Sequence, residues 1–171
     1  MTHNYFYLPY DSIFPKLFQK EKSYLQKIIG KNIIVEHFGS TAVPGLGGKG
    51  VVDIYVLVSK DKLKSASGIL QKHGYVFKTS FFKRKDHLFH QIDKKHGDKT
   101  YHYHIHVSAT GSKNFNQCIA FRNYLRTHPE SVKKYIRLKK LALDKIKGIT
   151  DKKEMVKIYL ETKGSIIDEI I

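Results

Sequence analysis

Three features of the sequence predict an α+β fold, a nucleotidyltransferase-like mixed β-sheet with helices packed on one side and a helical C-terminal region. Residues 51–58 (VVDIYVLV) and 101–108 (YHYHIHVS) carry the β-branched enrichment and period-two alternation of strands. A helical repeat of apolar residues (Ile13, Phe14, Leu17, Phe18, Leu25, Ile28, Ile29) precedes them. After residue 113 strand patterning stops, and 113–127, 129–147 and 151–170 read as three helices broken at His128-Pro129 and Gly148. A chain of 171 residues is expected to be one domain, with its sheet core over 30–110 and its helical tail over 113–171.

The elements follow in order. Over 11–29, Pro15 suits the first turn of a helix and Gly30 its end. Residues 32–38 (NIIVEHF) read as a strand, and 51–58 as the next. Residues 61–73 form a helix with Leu63, Ala66, Ile69 and Leu70 inward and His73-Gly74 as the stop. Residues 75–82 and 86–92 are short strands forming a hairpin. Along 51–58, Asp53 and Tyr55 share one face with Val51 and Leu57, while Val52, Ile54, Val56 and Val58 share the other, the core face. Along the 101–108 strand, His102, His104 and His106 share a face. Three histidines there are poor core material, because each buried imidazole needs partners for its ring nitrogens.

Composition narrows the setting. No stretch of about 18 apolar residues occurs, so no membrane partner is expected. The opening MTHNYFYLPYDS lacks the basic and apolar regions of a secretory signal, and Cys118 is the single cysteine, so a cytoplasmic location is expected. Cys118 itself reads as a small hydrophobe packed on an apolar helix face. Lys and Arg number 31 against 15 Asp and Glu, a net charge of +16. Such a field attracts nucleotides, RNA or other anions, though lysines spread along the whole chain also fit a merely basic surface.

The segment between the first two strands carries the chemistry. Gly39-Ser40-Thr41 follows a strand and opens a short turn that Ser40 or Thr41 can cap. Glycine admits close backbone approach, and a hydroxyl with backbone N–H groups at a helix start seats a phosphate. Asp53 arrives on the next strand. A carboxylate beside a phosphate repels it unless a cation lies between, so a divalent metal is implied, magnesium with several waters first of all. Lys49 can reach the same anion, and Arg122 and Arg126, one helical turn apart, can clamp it. HLFHQIDKKH (87–96) is read as a surface hairpin with scattered histidines.

The run VEHFGSTAVPGLGGKGVVDIYV closely resembles the GrpB family, a branch of the nucleotidyltransferase superfamily. Pro9-Tyr10-Asp11 resembles its opening, His104-Ile105-His106-Val107 its His-x-His strand, and Phe121 to Pro129 (FRNYLRTHP) its helix-to-helix corner. Tyr159 and Lys163 resemble its last helix. The resemblance implies Gly39, Ser40, Thr41, Lys49 and Arg122 as nucleotide-phosphate contacts, Asp53 and Glu36 as catalytic groups, and Asp53, His104 and His106 as metal ligands. The superfamily takes its third acidic ligand from the strand where His104 and His106 stand, and an Asp-plus-His set suits zinc or manganese better than magnesium. Three positions depart from the pattern. Tyr55 stands where two-metal transferases carry a second carboxylate. Asn123 replaces an acid, and Gly50 a proline or similar residue. Glu36 and His37 face opposite sides, and the motif contains both; an inward Glu36 can replace the missing carboxylate. The implied activity is nucleotidyl transfer from a nucleoside triphosphate. The alternatives are an inactive nucleotide- or metal-binding accessory domain and a basic RNA-binding protein.

Overall fold

The computed structural model describes residues 5–79 and 86–170, without the side chains of Lys163, Ser165 and 167–170. Its elements are α1 (Phe14–Ile29), β1 (Ile34–Phe38), a 3-10 turn (Ser40–Ala42), β2 (Val52–Val58), a second 3-10 turn (Lys60–Lys62), α2 (Leu63–Lys72), β3 (Val76–Phe77), β4 (His87–His96), β5 (Lys99–Ala109), α3 (Lys113–Thr127), α4 (Pro129–Lys145) and α5 (Lys152–Ile170). The five strands form one mixed sheet in the order β1-β2-β5-β4-β3. Only β2 and β5 run parallel; the other three pairings are antiparallel.

The period-two reading of β2 holds. Val52, Ile54, Val56 and Val58 join Ile105 and Val107 of β5 in a core sealed by Leu17, Phe18 and Leu25 of α1 and Leu63, Ala66 and Leu70 of α2. Leu25 and Leu70 are fully buried, each stabilising the fold by roughly 2 kcal/mol. Glu21 of α1 also faces this sheet. Its carboxylate accepts from Lys94 Nζ at 2.6 Å and from the Tyr75 hydroxyl, so the buried charge is paired.

The helical C-terminal region closes on the loop that follows β1. Val43 and Leu46 pack with Leu125 of α3, Tyr135 of α4 and Ile166 of α5. Leu8 exchanges two backbone hydrogen bonds with Gly48, at 2.7 and 2.9 Å, and so pins the far side of that loop. Both chain ends therefore hold the 39–49 segment against the sheet.

Several local expectations change. Neither Ser40 nor Thr41 caps the 3-10 turn; Gly39 occupies the N-cap, and no side chain bonds there. The strand expected over 75–82 is two residues long among the described residues, and 80–85 lie outside them. In contrast, β4 runs on to His96 and turns tightly through Gly97 (φ 60°) into β5. This long hairpin is not a surface feature throughout: His87 is 4% exposed and His90 fully buried, because the period-two pattern of β4 lies over both faces of the sheet.

Candidate functional site

Strand register brings the site together. β2 and β5 align Asp53 with His104 and Tyr55 with His106, and β1 aligns Phe38 with Asp53 and Glu36 with Tyr55. Cross-strand partners share a face, so Asp53, His104 and His106 point together. One donor atom from each of these three side chains lies within 4.8 Å of the others. His104 Nδ1 is 3.1 Å from Asp53 Oδ1. Gln91 Nε2 is 3.1 Å from the other nitrogen of the same ring. With that amide donating, His104 carries its proton on Nδ1 and gives it to Asp53.

His106 sits deeper, and burial pushes its pKa down to about 3, outweighing the attraction of Asp53. It is therefore neutral, the form that binds metals. Its Nδ1 lies 3.1 Å from His87 Nε2, and His87 Nδ1 lies 3.2 Å from Ser108 Oγ. His87 thus lies buried behind His106, not on the surface hairpin expected from its segment; its period-two alternation with Phe89 and Gln91 is the signal in the sequence. His102, the third histidine of the row, instead pairs with Asp93 at 2.6 Å on the exposed end of the hairpin.

Gly39 permits the approach of loop to carboxylate. Its φ of 71° and ψ of −168° suit only glycine, and its Cα faces Asp53 directly. Ser40 accepts a hydrogen bond from Lys139 Nζ, which also donates to Gly47 O at 2.7 Å. Lys139 is 3% exposed and sits 4.7 Å over the Tyr135 ring. The sequence offers little to single it out, since it lies among many lysines of an amphipathic helix. Lys49 packs its ammonium over Tyr5 (4.6 Å) and Tyr159 (5.4 Å). Burial lowers the Lys49 pKa, and the nearby Asp53 charge partly offsets this. Tyr159 thus reaches the site through Lys49; the Lys163 side chain lies outside the described ones.

Other expected residues bond within the frame, and Arg122 among them also lines the cavity that Ser40 and Asp53 open on. The Thr41 hydroxyl donates to Val51 O at 2.9 Å and so accepts from His37 Nε2, also at 2.9 Å. His37 faces the α1 side, stacked on Phe18 at 4.8 Å, and burial holds its pKa down at about 4. Glu36 lies on the Asp53 face but is paired with Arg122 at 2.7 Å and stands apart from the three-residue cluster. Arg122, 8% exposed, also donates to His37 O at 2.6 Å and to Asn123 Oδ1 at 2.9 Å and 3.0 Å. Asn123 thus supplies an acceptor to Arg122 at the position where the resemblance leads to an acid. Arg126 donates through Nε to Ala42 O at 2.8 Å. Tyr55 is fully buried against Phe38, His106 and Phe115, its hydroxyl bonded by Asn114. The position of the second carboxylate is thus a core aromatic.

Ser40, Asp53, His104 and His106 open on a cavity of 370 Å³ whose remaining wall is largely apolar, Leu46, Phe89 and Phe121 included. Cys118 lines this cavity too, partly buried rather than packed in the core, with burial raising its thiol pKa to about 11. Among the described residues no helix is long and apolar enough to cross a membrane.

Comparison with known proteins places this arrangement. The family profile described as GrpB protein matches residues 7–171. A UPF0157 protein of Halalkalibacterium halodurans is 31% identical over 167 residues, 96% of this chain and 79% of that protein. The glutamate-rich protein GrpB of Alkalihalophilus pseudofirmus is 33% identical over 160 residues, covering 91% of this chain and 87% of its own. The crystal structure of conserved protein GrpB from Enterococcus faecalis superposes with a TM-score of 0.72 at 24% identity, over 96% of this chain and 98% of that one. The Cid1 poly(U) polymerase bound to MgATP superposes at 0.51 and 14% identity, over 80% of this chain and 44% of the polymerase, a likeness of fold alone. With the sheet order, the Gly-Ser loop and the His-x-His strand in place, the chain belongs to the GrpB family and has a nucleotidyltransferase-like fold.

Proposed function

We propose that this protein binds a nucleoside triphosphate together with one divalent cation and transfers a nucleotidyl group to an acceptor. One observation carries the reading: the Asp53, His104 and His106 donors converge within 4.8 Å on the same cavity that Ser40 lines. Two imidazoles and one carboxylate fit manganese or zinc better than magnesium, which prefers oxygen donors.

In this reading Asp53, His104 and His106 hold the cation. When bound, it neutralises phosphate charge and polarises a phosphoryl oxygen. Ser40 and the Lys139 ammonium take the phosphate, and Lys49 adds positive potential from the side. The apolar wall takes the nucleoside and excludes water, which strengthens every charge interaction inside. Thr41 holds the loop in place, and Arg122 does so from the wall of the cavity itself. The net charge of +16 favours an anionic acceptor, RNA among them.

Tyr55 favours a second reading. With an aromatic core residue in place of a carboxylate, one donor set for a cation occurs among the described residues, which suits a domain that binds nucleotide without turnover. Labelled nucleotide transfer in manganese, run beside calorimetric titration with the same nucleotide, separates the two. Transfer that Asp53→Ala abolishes supports the enzyme; binding without transfer supports the accessory domain. Equal behaviour of wild type and Asp53→Ala in both assays sinks the site.

A further inference from the structure

The cation donors rest on neighbours able both to give and to receive a proton. His106 Nδ1 meets His87 Nε2 at 3.1 Å, and His87 Nδ1 meets Ser108 Oγ at 3.2 Å, with all three residues buried. A contact between two ring nitrogens holds one proton, not two. If His106 carries its proton on Nδ1, His87 Nε2 accepts it, and His87 carries its own on Nδ1, directed to Ser108. If the Ser108 hydroxyl donates instead, both rings carry their protons on Nε2. A hydroxyl can play either part, so the chain is satisfied in both directions. His104 has the same kind of support, since the Gln91 amide beside its ring can turn its NH₂ or its oxygen to it.

A cation at His106 Nε2 needs the first arrangement, with the lone pair on Nε2 and the proton on Nδ1. Metal-bound histidines characteristically donate their other N–H to a fixed acceptor, and that acceptor fixes the ring and its tautomer. Here the acceptor is another histidine, one that can release the same role when the cation leaves. We propose that His87 and Ser108 are positioning residues that present His106 to a divalent transition-metal ion through a two-imidazole tautomer relay. The proposal rests on the cation site described above, but its first consequence does not: the two rings always share one tautomer.

Long-range ¹H–¹⁵N spectra of the histidine rings read this directly. In the metal-free protein His87 and His106 show the same tautomer; in the zinc-loaded protein both are protonated at Nδ1. Opposite tautomers in the metal-free protein overturn the relay. Cobalt titration, followed by the d–d bands, supplies the second measurement. His87→Leu and Ser108→Ala weaken cobalt binding about 10- to 100-fold, the range usual for such outer partners. His87→Gln, whose amide oxygen can accept from Nδ1, regains most of the loss, a rescue that packing alone does not explain. Unchanged affinity in His87→Leu, with its fold verified by circular dichroism, also overturns the relay while leaving the cation site standing. If wild type binds no cobalt, the cation site falls, and the tautomer pairing in the metal-free protein alone decides the relay.

Discussion

A Cβ on residue 39 would stand 2.5 Å from Asp53 Oδ2, so Gly39 and Asp53 define each other's position. The backbone there also adopts a φ of 71° and a ψ of −168°, where a side chain is strained. Gly39→Ala must therefore move the loop or the carboxylate. We expect a loss of about 1–3 kcal/mol in urea unfolding from backbone strain. Manganese affinity should fall along with it, because Asp53 is displaced from His104. An alanine variant with wild-type stability and metal affinity would show that the loop is free to yield.

Lys139 joins α4 to the Ser40 seat, across 99 residues of sequence. An ammonium so placed adds a charge-assisted hydrogen bond to a bound phosphate, about 1.5–3 kcal/mol. Lys139→Met should thus weaken triphosphate binding by about 10- to 100-fold in calorimetry. Adenosine, which has no phosphate, should bind both proteins alike. Equal loss for adenosine would assign Lys139 to the frame alone.

Acid should unfold this protein through its buried histidines. Burial lowers the pKa of both His37 and His90 from 6.5 to about 4. The unfolded chain therefore takes up protons at these sites first as pH falls. Their contribution is intact above pH 6.5, erodes between pH 6.5 and 4, and levels off once the folded rings protonate too. Each can cost up to roughly 3 kcal/mol over that window. Urea midpoints at pH 7 and 4.5 measure it. His90 is the cleaner reporter, with Nδ1 buried and unbonded among the described residues and Nε2 on Ser67 at 2.9 Å. His90→Leu should lose less stability between the two pH values than wild type; an identical loss would exclude His90 from the acid response.

The parts of the site that the sequence made legible are those set by strand alternation. Asp53, His104 and His106 sit on one face because each strand repeats every two residues, and a parallel β2–β5 pairing then brings them level. The core valines of β2 follow from the same rule. What escaped was set by distance or by context. His87 carries the same period, but a segment holding Asp93, Lys94 and Lys95 looks solvated until β5 covers it. Lys139 has no local mark that separates it from Lys140, and only the fold shows which of the two meets Ser40. Thr41 and Arg122 are both motif residues, yet the Thr41 hydroxyl bonds to Val51 O inside the loop's own scaffold, whereas Arg122 bonds to Glu36 and His37 O and also lines the cavity. A motif marks the residues that a site requires without separating those that touch a ligand from those that hold the loop.

Tyr55 tests whether the two-metal pattern can be restored by one substitution. Its ring is fully buried, 4.6 Å from Phe38, 5.3 Å from His106 and 5.4 Å from Phe115 by ring centroids. Tyr55→Asp removes this aromatic packing, a loss of about 3–5 kcal/mol for a large buried side chain. It also places a carboxylate at a fully buried position, which adds to the cost. We therefore expect Tyr55→Asp to be destabilised by more than about 4 kcal/mol in urea, rather than to gain a second ion. Tyr55→Phe keeps the ring and loses the bonds of the hydroxyl, those to Asn114 and Cys118 among them, and should keep both its fold and one manganese per chain, counted by electron paramagnetic resonance. A stable aspartate variant that binds two manganese ions would mean that the aromatic packing is dispensable and that Tyr55 is what bars a second ion.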